Sequence, residues 1–362
     1  MKSSPESRII SSTASAASLE PNALRPQPNW LRLHGPSAED LANRYKLKLS
    51  GGNQQIEMIL PLFLCLSQPS HTVLLYLEDP DYLTELEVLK GNIVVLLRHS
   101  MKGKLPSGFT GTTLAMPDEE SPHELFYTII ADCIERDEFQ KLETFIHPTA
   151  SISSQASVAS NVYISEGAVI GPFVTLYPNT YIGAASRIEA GATIGSDGFE
   201  IAYIRGMRRI VPHAGGVWLS NDVTIGSGTC IDRGLWGDFT FVGSRTKIGS
   251  NIHIAHSAAI GQNCLIQSGA QLAGTVRIEN EVKIGSNANI NQQTIIGDGA
   301  SIETASVVSG SVPANAYISG NPARISGQSC RCGQRIKSDN NKAYCSQCRI
   351  NYTLKDQKWA AE

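Results

Sequence analysis

The chain has 362 residues, room for two or three domains. Charged residues make up 17% and aromatics 7%, and 32 glycines point to a β-rich, turn-dense chain. A net charge of −3 argues against nucleic acid or an anionic membrane as the main partner. The longest apolar run, residues 58–66, contains Pro61 and is too short to cross a bilayer.

Residues 1–29 are rich in Ser, Ala and Pro and lack an apolar segment. They read as a flexible leader rather than a secretory signal; an ordered arm packed on a neighbour is the other reading. Residues 30–145 read as a small α/β domain, with strands at 73–76 and 92–97. A helix is expected at 122–136, with Leu125, Ile129 and Cys133 on one face. Of eight cysteines, Cys65, Cys133, Cys230 and Cys264 lie scattered in apolar or repeat surroundings and read as reduced structural thiols. Without an export signal, the expected location is cytoplasmic.

From residue 146 an internal repeat sets the architecture. Ile146, Ile152, Val158, Ile164, Ile170, Leu176, Ile182, Ile188 and Ile194 are nine aliphatics at a spacing of six without a miss. The pattern resumes at Leu219, Ile225 and Ile231, and after a one-residue slip runs from Val242 to Ile302 and Val308. A period of six fits neither a helix nor a hairpin. It fits a solenoid with three short strands per coil, so that each aliphatic stacks on the one 18 residues away, with Gly or small residues at the corners. The pattern resembles the hexapeptide-repeat family, which implies a left-handed parallel β-helix over residues 146–325. The fold class expected is therefore mainly β, with the α/β domain before the solenoid. Residues 195–218 interrupt the period and carry Phe199, Arg205, Arg208, Arg209, His213 and Trp218. An excursion of that length from a regular solenoid points to function.

The sharpest chemical cluster is His253-Ile254-Ala255-His256. One coil of 18 beyond His256 stands Gly274, and one more gives Gln292. An imidazole beside a glycine amide is what acyl transfer requires: the His takes a proton from the nucleophile and the N–H stabilises the oxyanion. A corner histidine without a role is the alternative. Some hexapeptide-repeat proteins, the γ-type carbonic anhydrases, hold zinc with three histidines, but here no third His falls on a neighbouring coil.

The stretches GSDGFEIA, CIDRG, HIAHSAAIGQNCLIQSGAQLAG and KIGSNANINQQTI resemble the UDP-3-O-acylglucosamine N-acyltransferase family of the lipid A pathway, over about residues 70–325. The resemblance implies His256 as general base and Gly274 as oxyanion donor. It also implies an acyl thioester on a phosphopantetheine arm, an amino-sugar acceptor and sites between the subunits of a homotrimer. It places Asp197 and Phe199 beside the donor path. Three departures stand out. Gln293 replaces the family's second histidine, and the acidic residue seven before the base is Gly249. The family's DGFG reads Asp197-Gly198-Phe199-Glu200. His253 and Gln293 are then secondary polar contacts. In the N-terminal domain the resemblance implies an aromatic stacked on uracil, here Tyr76, and an Asn at its edge, here Asp79. A core role for Tyr76 is equally open. The motif Gly320-Asn321-Pro322-Ala323-Arg324 resembles the coil end of hexapeptide enzymes that use acyl-CoA, which makes Asn321 and Arg324 donor-binding candidates and leaves acyl-CoA and acyl carrier protein both open.

In the segment 326–362, Cys330, Cys332, Cys345 and Cys348 form two tight pairs, a spacing that suits a structural zinc ribbon. From Gln328 onward seven Lys and Arg face three Asp and Glu, which could attract an acidic carrier protein or a donor phosphate. The function expected is a thioester-dependent N-acyltransferase acting on a nucleotide-linked amino sugar in lipid A-like or surface-polysaccharide synthesis. An O-acyltransferase on the same scaffold and a non-catalytic partner-binding solenoid are the rivals.

Overall fold

The computed structural model describes residues 31–62, 71–87, 89, 92–336, 338–339, 342–355 and 358–361. The leader 1–29 and Cys65 lie outside the described residues.

The N-terminal unit is a five-stranded sheet. Its central strands Val73–Tyr76, Ile93–Arg98 and Thr112–Met116 run parallel, and Lys48–Ser50 pairs antiparallel on one edge. Near-continuous apolar runs such as Ile93 to Leu97 suit strands covered on both faces. The second strand starts at Ile93 rather than at Asn92. The helix Pro122–Glu135 begins where the Ser121 side chain accepts the Glu124 amide and Pro122 fills the first turn, and Arg136 is its C-cap. Ile129 and Cys133 are fully buried, as the apolar face predicts, and Leu125 packs partly buried against the same core. The sequence analysis missed a second helix, Ala38–Tyr45, capped by a reciprocal pair of Ser37 and Asp40.

Residues from Phe145 onward wind into three parallel sheets. Successive coils pair in register, as in Ile248 on Ile266 and Ile266 on Ile284. The repeated aliphatics form one continuous column that is almost wholly buried. The repeat therefore works as read, but the glycine reading needs correction. The left-handed corner positions are mostly not glycine: Asn251, Ser257, Asn263, Asn287 and Gln293 all adopt φ between 56° and 59°. After glycine, Asn tolerates that region best. The glycines that follow the aliphatics serve a different need, close approach of the next coil. A Cβ on Gly183 would stand 2.4 Å from the Ser220 carbonyl carbon.

The excursion is a β-hairpin, Ile201–Ile204 paired antiparallel with Met207–Ile210. The slip after Ile231 is a second insertion, since the step from Ile231 to Val242 is eleven residues against the repeat of six. Both loops reach the same place. Ala202, Ile204, Val211 and Ala214 from the first, and Leu235 and Trp236 from the second, join the apolar core of the N-terminal unit. At the hairpin turn Arg205 pairs with Asp132 and Glu135 of the helix, and the Gly206 amide donates to Glu124 Oε1 at 2.6 Å. The excursion thus fastens the α/β unit to the solenoid. Trp218 belongs to a regular strand, stacked on Tyr181 with ring centroids 3.8 Å apart.

At the far end the chain reverses at Asn321-Pro322, and Ala323–Ser329 returns antiparallel on Ala316–Gly320. Arg335–Ile336 adds to that edge, so the largest solenoid sheet continues into the cysteine-bearing segment. The strand Ala323–Ser329 spans the boundary expected at residue 325.

Because Trp236 is 5% exposed in the core shared by both units, Trp236→Ala is expected to lower stability by about 3–5 kcal/mol. Chemical denaturation checks this; an unchanged midpoint would contradict the shared core.

Candidate active site

The coil register brings the central pair together as the 18-residue arithmetic predicts. The Thr275 amide donates to the His256 carbonyl at 3.0 Å and the Gln293 amide to the Gly274 carbonyl at 3.3 Å, so His256, Gly274 and Gln292 form one corner column. Gly274 lies against the imidazole: a Cβ there would be 2.7 Å from His256 Nε2 and 2.8 Å from Cε1. Only glycine fits. The Gly274 N–H has no acceptor among the described residues.

His256 is 8% exposed. Its ring packs edge-to-face near His213 at 5.3 Å and Trp236 at 6.2 Å. Nδ1 is buried and finds no partner among the described residues; a Cβ on Gly249 would lie against Ser268, 2.8 Å from its amide nitrogen, rather than against this ring. Nε2 faces the open side, where Glu200 Oε2 lies 3.7 Å away. The carboxylate the fourth DGFG position acquires in this chain therefore meets the candidate base.

His253 does not touch His256 but donates to Asp232. The Nε2 to Oδ2 distance is 2.8 Å, and Asp232 is 4% exposed. Asp232 also accepts from Ser196 Oγ at 3.3 Å. Its carboxylate holds the His253 pKa above the usual value, against the opposing effect of burial. Sequence reasoning missed Asp232, although it lies in the CIDRG stretch. The five extra residues of the second insertion stretch the register, so that Cys230 pairs with His253 rather than with a residue 18 away. His213, named in the sequence only as part of the excursion and given no role there, joins the site as well. It is 4% exposed, its Nδ1 lies 2.8 Å from the Val211 carbonyl, and Nε2 is buried without a partner among the described residues. Burial lowers its pKa, which disfavours the charged imidazolium. Gly198 of the DGFE stretch sits between these groups; a Cβ there would be 3.0 Å from His213 Nε2 and 3.1 Å from Asp232 Oδ2.

The remaining candidates are more dispersed. Asp197 is exposed and pairs with Arg233 at 3.3 Å, and Phe199 is 75% exposed. Phe199, Tyr203, Arg208 and Arg209 of the hairpin, with His123 of the helix, line a depression of about 630 Å³ that does not include His256. Tyr76 packs against His123 and Phe126 with centroids 5.4 and 4.8 Å away, and burial raises its pKa, with Glu78 and Glu200 adding to the effect. Asp79 is exposed in a turn, its Oδ1 accepting the Asp81 amide. Asn321 and Arg324 stand at the reversal four coils beyond the His256 coil, roughly 19 Å at the spacing of paired strands. The structure does not bring them to the base.

The four tail cysteines do converge. Their Sγ atoms all lie within 4.8 Å of one another, and Cys332 and Cys345 are 3.7 Å apart. That separation is the edge of a tetrahedron with metal–sulfur bonds of about 2.3 Å, the zinc–thiolate length. The Tyr352 hydroxyl lies 3.0 Å from Cys330 Sγ, the kind of outer contact that orients a thiolate ligand.

Because His253 is raised above its ordinary 6.5 by Asp232, their pair adds stability below the unfolded value and loses it as pH rises through the folded one. Asp232→Asn should move the His253 titration downward, read by histidine NMR; an unmoved titration would contradict the pairing.

Residues 161–196 match the bacterial transferase hexapeptide family (six repeats), in agreement with the left-handed β-helix. Over 230 residues the chain is 28% identical to a UDP-3-O-acylglucosamine N-acyltransferase of Pseudomonas aeruginosa, covering 55% of this chain and 62% of that protein. A protein of the same name from Maricaulis maris is 50% identical over 155 residues, covering 43% of this chain and 44% of the relative. A solved UDP-N-acetylglucosamine acyltransferase of Francisella novicida is 27% identical over 51% of this chain and 70% of that one, with a TM-score of 0.41. The chain spans about three fifths of the Pseudomonas relative's length. The chain carries a hexapeptide repeat and is related by sequence to the UDP-3-O-acylglucosamine N-acyltransferases.

Proposed function

We propose that the chain is a thioester-dependent acyltransferase that acylates the amine of a nucleotide-linked amino sugar, in lipid A-like or surface-polysaccharide synthesis. The observation that carries this is the His256–Gly274 contact: a largely buried imidazole beside a backbone N–H without an acceptor among the described residues. In this reading His256 Nε2 removes a proton from the acceptor as it attacks the thioester carbonyl. The Gly274 N–H stabilises the oxyanion, and the protonated imidazole returns the proton to the leaving thiolate. Asp232 holds His253 at the rim of the site, and Gln293 offers a hydrogen bond one coil beyond Gly274. The relatives' names supply the acceptor class.

The α/β unit at residues 30–145 is assigned to the nucleotide, with Tyr76 as its candidate platform and Asp79 at its edge. Asp197 and Phe199 border the donor path, and acyl-CoA or acyl carrier protein is the donor, with Asn321 and Arg324 meeting its phosphate end. The whole chain acts as a homotrimer; exposed Phe173, Tyr177 and Leu265 on the outer solenoid faces support an assembled form. No helix among the described residues is long and apolar enough to cross a membrane, and a cytoplasmic site is part of the proposal.

Zinc at Cys330, Cys332, Cys345 and Cys348 is assigned a structural role, closing a tail with a small apolar core of its own.

His256→Ala should lower turnover of a UDP-linked amino sugar with an acyl thioester by about 10²- to 10⁴-fold while leaving the circular dichroism unchanged. Full turnover by the folded variant would sink the assignment. Elemental analysis should find one zinc per chain, lost in Cys345→Ser; a chain that folds identically without metal would refute the zinc clasp.

A further inference from the structure

Amine and hydroxyl acceptors differ in their proton requirements. A hydroxyl loses one proton when acylated, and one base can carry it to the leaving thiolate. An amino sugar, whose amine titrates near neutrality, reaches the enzyme in part as an ammonium, whose nitrogen must shed two protons to become an amide. One ends on the thiol; the other needs a second acceptor.

The reactive edge of His256 carries such a group. Glu200 Oε2 stands 3.7 Å from Nε2. That is too long for a direct hydrogen bond, yet one nitrogen atom can lie within hydrogen-bond distance of both. The carboxylate is on the open side of the ring, because Nδ1 is the buried edge. It is not an orienting group acting from behind. Its side chain is 38% exposed, so an acceptor can reach it. The backbone is fixed, since the Val211 amide donates to the Glu200 carbonyl at 2.8 Å. The ionisable groups that face it are His256 from the solenoid and Tyr76 and Tyr127 from the N-terminal unit. The two tyrosines bring no positive charge to it.

We infer that Glu200 is the second proton acceptor of the site and the counter-charge that seats the acceptor as an ammonium, which selects an amine over a hydroxyl. The inference rests on the acyl-transfer reading above and names its acceptor class. The ammonium binds between Glu200 and His256. Nε2 takes one proton, and the freed lone pair forms the C–N bond to the thioester carbonyl. The tetrahedral adduct then carries an oxyanion against Gly274 and a cationic nitrogen against Glu200. The carboxylate takes the second proton, the C–S bond breaks, and the imidazolium protonates the thiolate. Glu200 afterwards gives its proton to water. The balance is one ammonium and one thioester in, one amide, one thiol and one proton out.

The test compares wild type, Glu200→Gln, Glu200→Asp and His256→Ala with UDP-3-O-acylglucosamine and an acyl thioester between pH 6 and 9. Glu200→Gln should cut kcat/KM by roughly 10- to 100-fold at the acid end, with a raised KM for the amine. The deficit should shrink as the acceptor itself loses its proton at higher pH, and Glu200→Asp should recover part of the activity. A Glu200→Gln profile parallel to wild type, with equal loss at every pH or none, overturns the inference while leaving His256 as base if His256→Ala is dead. A live His256→Ala enzyme instead overturns the acyl-transfer reading beneath it. Equal thermal midpoints for wild type and Glu200→Gln separate a chemical defect from a folding one.

Discussion

Everything in this molecule depends on the coil-to-coil amide ladder of the solenoid. Each coil donates its backbone amides to the next one, and each buried aliphatic sits on its equivalent. The ladder leaves little freedom at a corner, because a shift of one residue would turn the aliphatic column outward. Rigidity of that kind places a histidine of one coil against the backbone of the next without any loop having to find its position. The glycines between coils belong to the same constraint. They permit the stacking distance, and at Gly274 the missing side chain also opens room for an imidazole.

On this scaffold the two insertions do the work of assembly. The hairpin and the loop at 233–238 each extend sideways, and their apolar residues finish the core of the α/β unit. Arg205, one of the residues that the excursion carries, spends its charge on Asp132 and Glu135. The same hairpin base delivers Gly198, Glu200 and His213 to the rim around His256. Docking of the N-terminal unit and completion of the site are thus one structural event. A chain that lost the shared core would lose the surroundings of its base as well.

The repeat, the Gly274 partner of His256, the helix at 122–135 and the four-cysteine cluster were legible in the sequence. Each follows from a fixed period, a cap or a close spacing, all of which are local. What escaped was long-range. The slip after Ile231 hides five inserted residues, because a shift of five and a shift of minus one look alike to a six-residue period. Asp232 was invisible for that reason: its distance from His253 follows no coil arithmetic. Glu200 appeared only as a departure from a pattern, since its meeting with His256 depends on how the excursion folds back. The purpose of the excursion needed the helix it touches, and nothing in a hairpin sequence names its partner.

The central claim is that the His256–Gly274 corner receives an amino-sugar nucleotide whose base is held by the α/β unit. The most direct measurement is a crystal structure with UDP-3-O-acylglucosamine bound. The account predicts the amine nitrogen within hydrogen-bond reach of His256 Nε2, with the nucleotide directed toward Tyr76. A nucleotide seated elsewhere, with the amine remote from His256, would contradict it.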